Sequence, residues 1–236
     1  MRPLLRPLLL TSIATAALGF AGAGGATALG LGISQPGSAH NFAVETWNPI
    51  GEICRVCHVP HDHGRAAQYY LNGLLWNHAV SAASYTMYNS SWSSSLNGAQ
   101  SAQPDGVAKL CLGCHDGTVA IDTFDKYAGG TWYMEDQNPN FIIPRFTVGS
   151  NLDLRGTHPL SIAYDTVVEP NLRATSTAMG TSGSIASVLD NGKVQCSSCH
   201  DVHDQETVAG TNLLRVAQTV AQGGDPSGLC LTCHVK

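Results

Sequence analysis

Charge is scarce in this chain: only 12 % of its 236 residues are Asp, Glu, Lys or Arg, while 25 are glycine. No basic stretch interleaved with aromatics occurs, which excludes nucleic acid as a partner. After the N-terminus there is no second long apolar run, so the remainder holds nothing that could cross a bilayer as a helix. A spare cysteine is also missing. All eight belong to one pattern.

That pattern is C-x-x-C-H, and it occurs four times, at Cys54–His58, Cys111–His115, Cys196–His200 and Cys230–His234. It is the attachment sequence of c-type haem. Two thiols three residues apart on a tight turn can form thioethers to the two vinyl groups of one porphyrin. The following His then lies under the ring and gives iron its proximal nitrogen. Structural zinc held by C-x-x-C knuckles does not require a His directly after the second Cys, yet one follows all four. Disulfides are the other alternative in an exported chain, but neighbouring C-x-x-C thiols make poor bridges. Four covalent haems follow as cofactors, with Cys54, Cys57, Cys111, Cys114, Cys196, Cys199, Cys230 and Cys233 as thioether donors and His58, His115, His200 and His234 as proximal iron ligands. Four porphyrin plates would replace much of a side-chain core. The fold class is therefore a multihaem cytochrome c, mostly irregular, with a few short helices and strands around a core of haems.

Arg2 and Arg6 precede an apolar run from Leu8 to about Phe20, then small residues to Ala28. This is the layout of a secretory signal peptide. Ala26-Thr27-Ala28 satisfies the cleavage rule, and so does the more distant Gly37-Ser38-Ala39. Extended through its glycines to Ile33, the run is long enough to anchor in a membrane, but the glycines make it a weak span. With the leader gone, the net charge moves from −5 to −7, 17 acids against 10 bases once Arg2 and Arg6 are subtracted. Export suits the chemistry, because haem is attached to c-type cytochromes outside the cytoplasmic membrane.

The order of features repeats. His40, Cys54-x-x-Cys57-His58-x-x-His61, a Pro104-Asp-Gly turn and Leu110-Cys111-Leu-x-Cys114-His115 are followed by His158, Cys196-x-x-Cys199-His200-x-x-His203, Pro226-Ser-Gly and Leu229-Cys230-Leu-x-Cys233-His234. We read a duplicated two-haem unit: a leader 1–28, a first unit 29–130, a connecting segment 131–157 and a second unit 158–236, in one continuous fold. Of the six other histidines, His40, His61, His158 and His203 have counterparts in both halves. They are the expected distal ligands of four bis-histidine haems. A three-residue tether is too short for His61 or His203 to reach the far face of its own haem, so each should serve a neighbouring one. His78 is the reserve distal candidate, read otherwise as packing on a haem or bonding a propionate, and His63 reads as a solvated loop residue. Met87, Met134 and Met179 are alternative sixth ligands made unnecessary by the histidines.

Short strands are expected in Gly117–Asp125 and Phe141–Val148, a short helix over Leu213–Ala221, and an exposed loop over Glu169–Gly192. Ala79–Asn97 reads as loop or a short helix. Asn89-Ser90-Ser91 matches a glycosylation acceptor.

Ala39-His40-Asn41-Phe42, Cys57-His58-x-Pro60-His61, Leu75-Trp76-Asn77-His78, Gln103-Pro104-Asp105-Gly106, His115-Asp116-Gly117, Thr157-His158-Pro159-Leu160-Ser161 and Cys199-His200-Asp201-x-His203 together resemble the filament-forming tetrahaem cytochromes of the OmcE type, over essentially the whole mature chain. The third haem motif departs in one place, with Asp201-Val202 before His203 where related sequences often have Pro. The resemblance implies extracellular homopolymers with a continuous chain of alternately stacked and perpendicular haems, and one distal His supplied by the adjacent subunit. His40, on an N-terminal segment, is the residue we assign to that role.

The function expected is therefore non-enzymatic electron transfer by low-potential bis-His haems in an extracellular filament, with upstream and downstream redox proteins and extracellular metals or minerals as partners. A monomeric periplasmic shuttle serving a reductase is the alternative; low charge counts against it, since transient docking uses charged patches. A multihaem reductase would need an open iron position, which four His-terminated motifs and enough spare histidines leave closed.

Overall fold

The computed structural model describes residues 30–59, 75–89, 91, 93, 95–125, 130–144 and 146–235. The leader 1–28, His61 and His63 lie outside these.

Each C-x-x-C-H motif occupies a helical turn. Cys54–Val56 is a single 3-10 turn; Cys111–His115 ends helix α1 (Gly106–His115); Cys196–Cys199 is helix α4; and Cys230–Cys233 ends helix α5 (Gly228–Cys233). The His N–H donates back to the first Cys carbonyl at His58 (2.8 Å), His200 (3.0 Å) and His234 (2.9 Å). One such turn brings residues i and i+3, the two thiols, to one face. Straight after the turn the chain is pinned from a distance. The carbonyls of Cys57, Cys199 and Cys233 accept from the N–H groups of Asn77, Arg215 and Arg173 at 2.8–2.9 Å, and His58, His200 and His234 form isolated bridges with Trp76, Leu214 and Leu172.

Among the described residues the longest helix, α1, begins at a junction between the halves. Gly106 has φ +49°, and a Cβ there would fall 2.2 Å from Asp190 Oδ2. That closeness lets Asp190 accept from Val107 N–H at 3.0 Å, and a carboxylate at a helix N-terminus also complements the macrodipole. Asp105, one residue before the helix, accepts from Ser101 Oγ (2.8 Å) and Gln195 Nε2 (2.9 Å) and pairs with Lys193. Burial raises its carboxyl pKa, but hydrogen bonds from Lys193, Ser101, Gln195 and Ser161 outweigh this and hold it at about 2. Helices α1 and α4 pack beside this knot.

Regular sheet is minimal. Strands β1 (Tyr85–Thr86), β2 (Thr147–Val148) and β3 (Asn151–Asp153) form one sheet in the order β1-β3-β2, with Tyr85 parallel to Leu152 and a tight β2–β3 hairpin. Strands β4 (Ile162–Ala163) and β5 (Lys193–Val194) pair antiparallel. Two further helices, α2 (Met134–Gln137) and α3 (Ile185–Val188), have one turn each. Among the described residues the buried apolar clusters are small: Trp47, Val56, Ile121 and Phe124 in one, Tyr85, Leu112 and Leu154 in the other. Met134 packs on the first, Met87 on the second, and Met179 is itself buried.

Three local expectations are corrected. Residues 117–125 form turns, with Phe124 alone bridging to His78. In 141–148 only Thr147–Val148 is a strand, because Phe141 closes a 3-10 turn begun at Pro139. Of Leu213–Ala221 only the last two residues are helical, opening the 3-10 turn Val220–Gln222. Leu213 has φ +58°, and its backbone pairs with Asp201 while Arg215 pairs with Cys199. Long-range bonds to the third C-x-x-C-H motif take the groups a helix would need.

Candidate haem-binding site

The histidines converge in twos. His40 meets His115 with ring centroids 6.2 Å apart, His58 meets His203 at 6.5 Å, and His158 meets His234 at 6.1 Å. Each pair joins one motif histidine to one histidine from outside the motifs. The first pair is edge-on at 90°, the second nearly parallel at 19°, the third tilted at 56°. With metal–nitrogen bonds of about 2 Å, and a ring nitrogen roughly 1.2 Å from its ring centre, trans imidazoles on one ion have centroids about 6.3 Å apart. All three separations fall near that value.

Two imidazoles alone are an incomplete shell for a bare ion. Among the described residues no group of three or more His, Cys, Asp or Glu side chains could hold a metal ion. A pair is complete where a porphyrin fills the equatorial positions. All eight cysteines are free thiols, as thioether attachment requires.

Tautomers are fixed by the backbone. His115 Nδ1 donates to Phe141 O (2.9 Å), His200 Nδ1 to Asn212 O (2.7 Å) and His158 Nδ1 to Pro159 O (3.0 Å). Such bonds direct the Nε2 lone pair to a metal. Burial lowers the His40 pKa to about 4, helped by the neighbouring His115, and the Val202 backbone offsets this only in part. His200 is lowered by burial too, against the Asn212 bond. Both shifts favour neutral imidazole, the ligating form.

Thiols of consecutive motifs lie near one another. Cys57, pushed up to about 12 by burial, feels Cys114 next; Cys196 is raised first by its hydrogen bond to Cys111; Cys199, at about 11 through burial, feels Cys233 next. Each motif thus neighbours its successor, first to second, second to third, third to fourth. Cys54 and Cys230, at the outer ends of this series, are exposed.

His40, for which the resemblance implied a place in the next subunit, lies here beside His115 of its own chain. His203, three residues after His200, meets His58 of the other half. His61 and His63 are outside the described residues, and among those described no ring pairs in this way with His200. His78 is fully buried, with Nδ1 2.8 Å from Ala79 O, Nε2 3.2 Å from Ile121 O and Cys114 Sγ at 3.5 Å. Both nitrogens face carbonyls, so the ring offers no lone pair outward. Asn89 accepts from Ser91 N–H in an exposed turn.

Three supporting residues were not legible as such. Asp201 accepts from the N–H groups of His203 (3.1 Å), Gln205 (3.0 Å) and Glu206 (2.9 Å), shaping the loop that carries His203. Asp116 binds Thr118 N–H (2.7 Å) and the Tyr85 hydroxyl (2.5 Å) beside the second motif. The shared His-Asp at 115–116 and 200–201 is the sequence signal for both. Trp76 stands edge-on to His58 at 6.0 Å, and among the described residues its buried Nε1 has no partner. A haem propionate would supply the acceptor, so this orphaned donor fits the group.

No family model matches the chain, and no curated protein does either. Among the described residues no helix is long and apolar enough to cross a membrane.

Proposed function

We propose that the protein is a tetrahaem c-type cytochrome that carries electrons and catalyses no reaction of its own. The observation that carries this reading is the set of three imidazole pairs at the trans-ligand separation, each containing the histidine of a C-x-x-C-H turn. His203 would close the iron held by His58, His40 that of His115 and His158 that of His234, which leaves His61 for His200. Haem, when bound, supplies a one-electron iron couple whose potential follows its axial ligands and burial. The chain's own groups would attach each of four rings through two thiols, orient imidazoles through backbone carbonyls, and give each iron two histidines. No position is then left for a substrate, which argues against a reductase. The succession of neighbouring thiols supports a serial path from the first motif to the fourth.

We further propose that the chain is exported and polymerises outside the cell, passing electrons to redox proteins, metals or minerals. The resemblance, the low charge and a concentration of exposed apolar side chains in the connecting segment (Trp132, Tyr133, Phe141, Ile143, Phe146 and Val148) support this. The monomeric periplasmic shuttle is favoured by one observation: three pairs are complete within a single chain. Electron microscopy of the shed extracellular fraction, with haem content read by absorbance, separates the two. Thin filaments carrying this polypeptide and four haems per repeat are expected; dispersed, fully haem-loaded particles would leave the shuttle.

A further inference from the structure

The stretch Gly30–Ile33 lies along the loop that carries His203. Gly30 N–H donates to Thr207 O (2.7 Å), Gly32 N–H to Asp204 O (2.6 Å) and Ile33 N–H to His203 O (2.7 Å). The approach is close enough to require glycine. A Cβ on Gly30 would sit 2.0 Å from Thr207 Oγ1 and 2.2 Å from Asp204 Oδ1, and both of those residues are buried. Gly32 has φ +85°, a region L side chains rarely adopt. Beyond Ile33 the chain continues in i→i+3 turns, Gln35 to Gly32, Ser38 to Gln35 and Asn41 to Ser38. His40 sits within this series. One short segment thus braces the loop of one axial histidine and carries another.

We propose that Gly30–Ile33 is retained in the mature protein as a strap that holds His203 against His58, and that the leader peptidase therefore cuts after Ala28 and not after Ala39. The step is hydrolysis of the Ala28–Leu29 peptide bond: water adds, Ala28 keeps a carboxylate and Leu29 gains an ammonium. A cut after Ala39 would strip the carbonyls of His203, Asp204 and Thr207 of these three donors. It would also place a new ammonium on His40, whose ring is enclosed beside His115. The inference rests on the exported haem-protein reading.

N-terminal sequencing and intact mass of the haem-loaded, secreted protein test the cleavage. A mature chain beginning at Leu29 is expected. One beginning at His40 overturns the proposal while leaving export intact; one still beginning at Met1 overturns the assigned cut. The strap is tested separately, by joining the leader directly to Ser34 so that residues 29–33 are absent. The expected result is one equivalent of CO bound per chain where the parent binds none, and a high-spin band that added imidazole converts back to low spin. Should that variant fail to load haem, Gly30→Ala in the full chain is read in the same way, with partial CO binding expected. A fully low-spin spectrum without CO binding in the readable variant overturns the strap.

Discussion

The imidazole ring of His40 stands edge-on to that of His115, with centroids 6.2 Å apart and planes at 90°. His40 is reached through turns from the N-terminal side, while His115 is the last residue of α1, so the two arrive by unrelated routes. If each of the three pairs holds one iron, removing its outer member opens one axial position. His40→Ala, His203→Ala and His158→Ala should each yield one high-spin haem in four and one equivalent of CO per chain, with thioether attachment unchanged. CO titration of the reduced proteins checks this. Two or more equivalents from a single substitution would break the one-pair, one-iron assignment.

Asp201 should matter through His203 without touching iron. Its carboxylate accepts from three part-buried loop N–H groups, and a hydrogen bond to a charged group contributes about 1.5–3 kcal/mol. Asp201→Ala is expected to lower stability by that order and to give a mixed-spin spectrum confined to one haem, partly restored by Asp201→Asn. Chemical denaturation and resonance Raman spectra read the two effects independently.

The knot at Asp105 predicts an acid transition. Its carboxyl is held at about 2, below the usual 3.8, so the folded state binds its proton less readily than the unfolded chain does. The stabilisation is present above pH 3.8 and is lost as pH falls toward 2. Asp105 and Lys193 are both partly exposed, and solvent screening limits the contribution to about 1 kcal/mol. Asp105→Asn should flatten the stability–pH slope in that window and leave it unchanged near neutrality, as urea titrations at successive pH values would show.

Trp76 offers a test of the porphyrin's surroundings. Its buried indole N–H has no partner among the described residues and lies beside His58. Trp76→Phe keeps the ring and removes the donor. A propionate deprived of that bond carries less stabilised negative charge, which favours the oxidised iron, so the potential of one haem should fall. Spectroelectrochemistry showing all four potentials unmoved would remove Trp76 from contact with a propionate.

The attachment pattern is local, five residues of Cys-x-x-Cys-His, so covalent haem can be proposed from the sequence alone. The pairing of axial histidines is not. Nothing in the sequence near His203 points to His58, because the contact depends on how the two halves pack through α1, α4 and the Asp105–Lys193 knot. Leu213–Ala221 shows the same limit. Its composition suits a helix, yet its backbone groups bond to Asp201 and Cys199, and such long-range pairing overrides weak local propensity. Asp116 and Asp201 were visible as a shared His-Asp, but their work on loop N–H groups needed the fold.

In a haem-bearing chain the near-parallel pair of His58 and His203 would have a topological consequence. An iron bound between them closes a ring of polypeptide running from residue 58 to residue 203, much as a disulfide would. In the chain-entropy picture a closure of that length removes about 5 kcal/mol of freedom from the denatured ensemble. Unlike a disulfide, this clasp is reversible by ligand exchange, so the midpoint of unfolding should slide downward as free imidazole is raised.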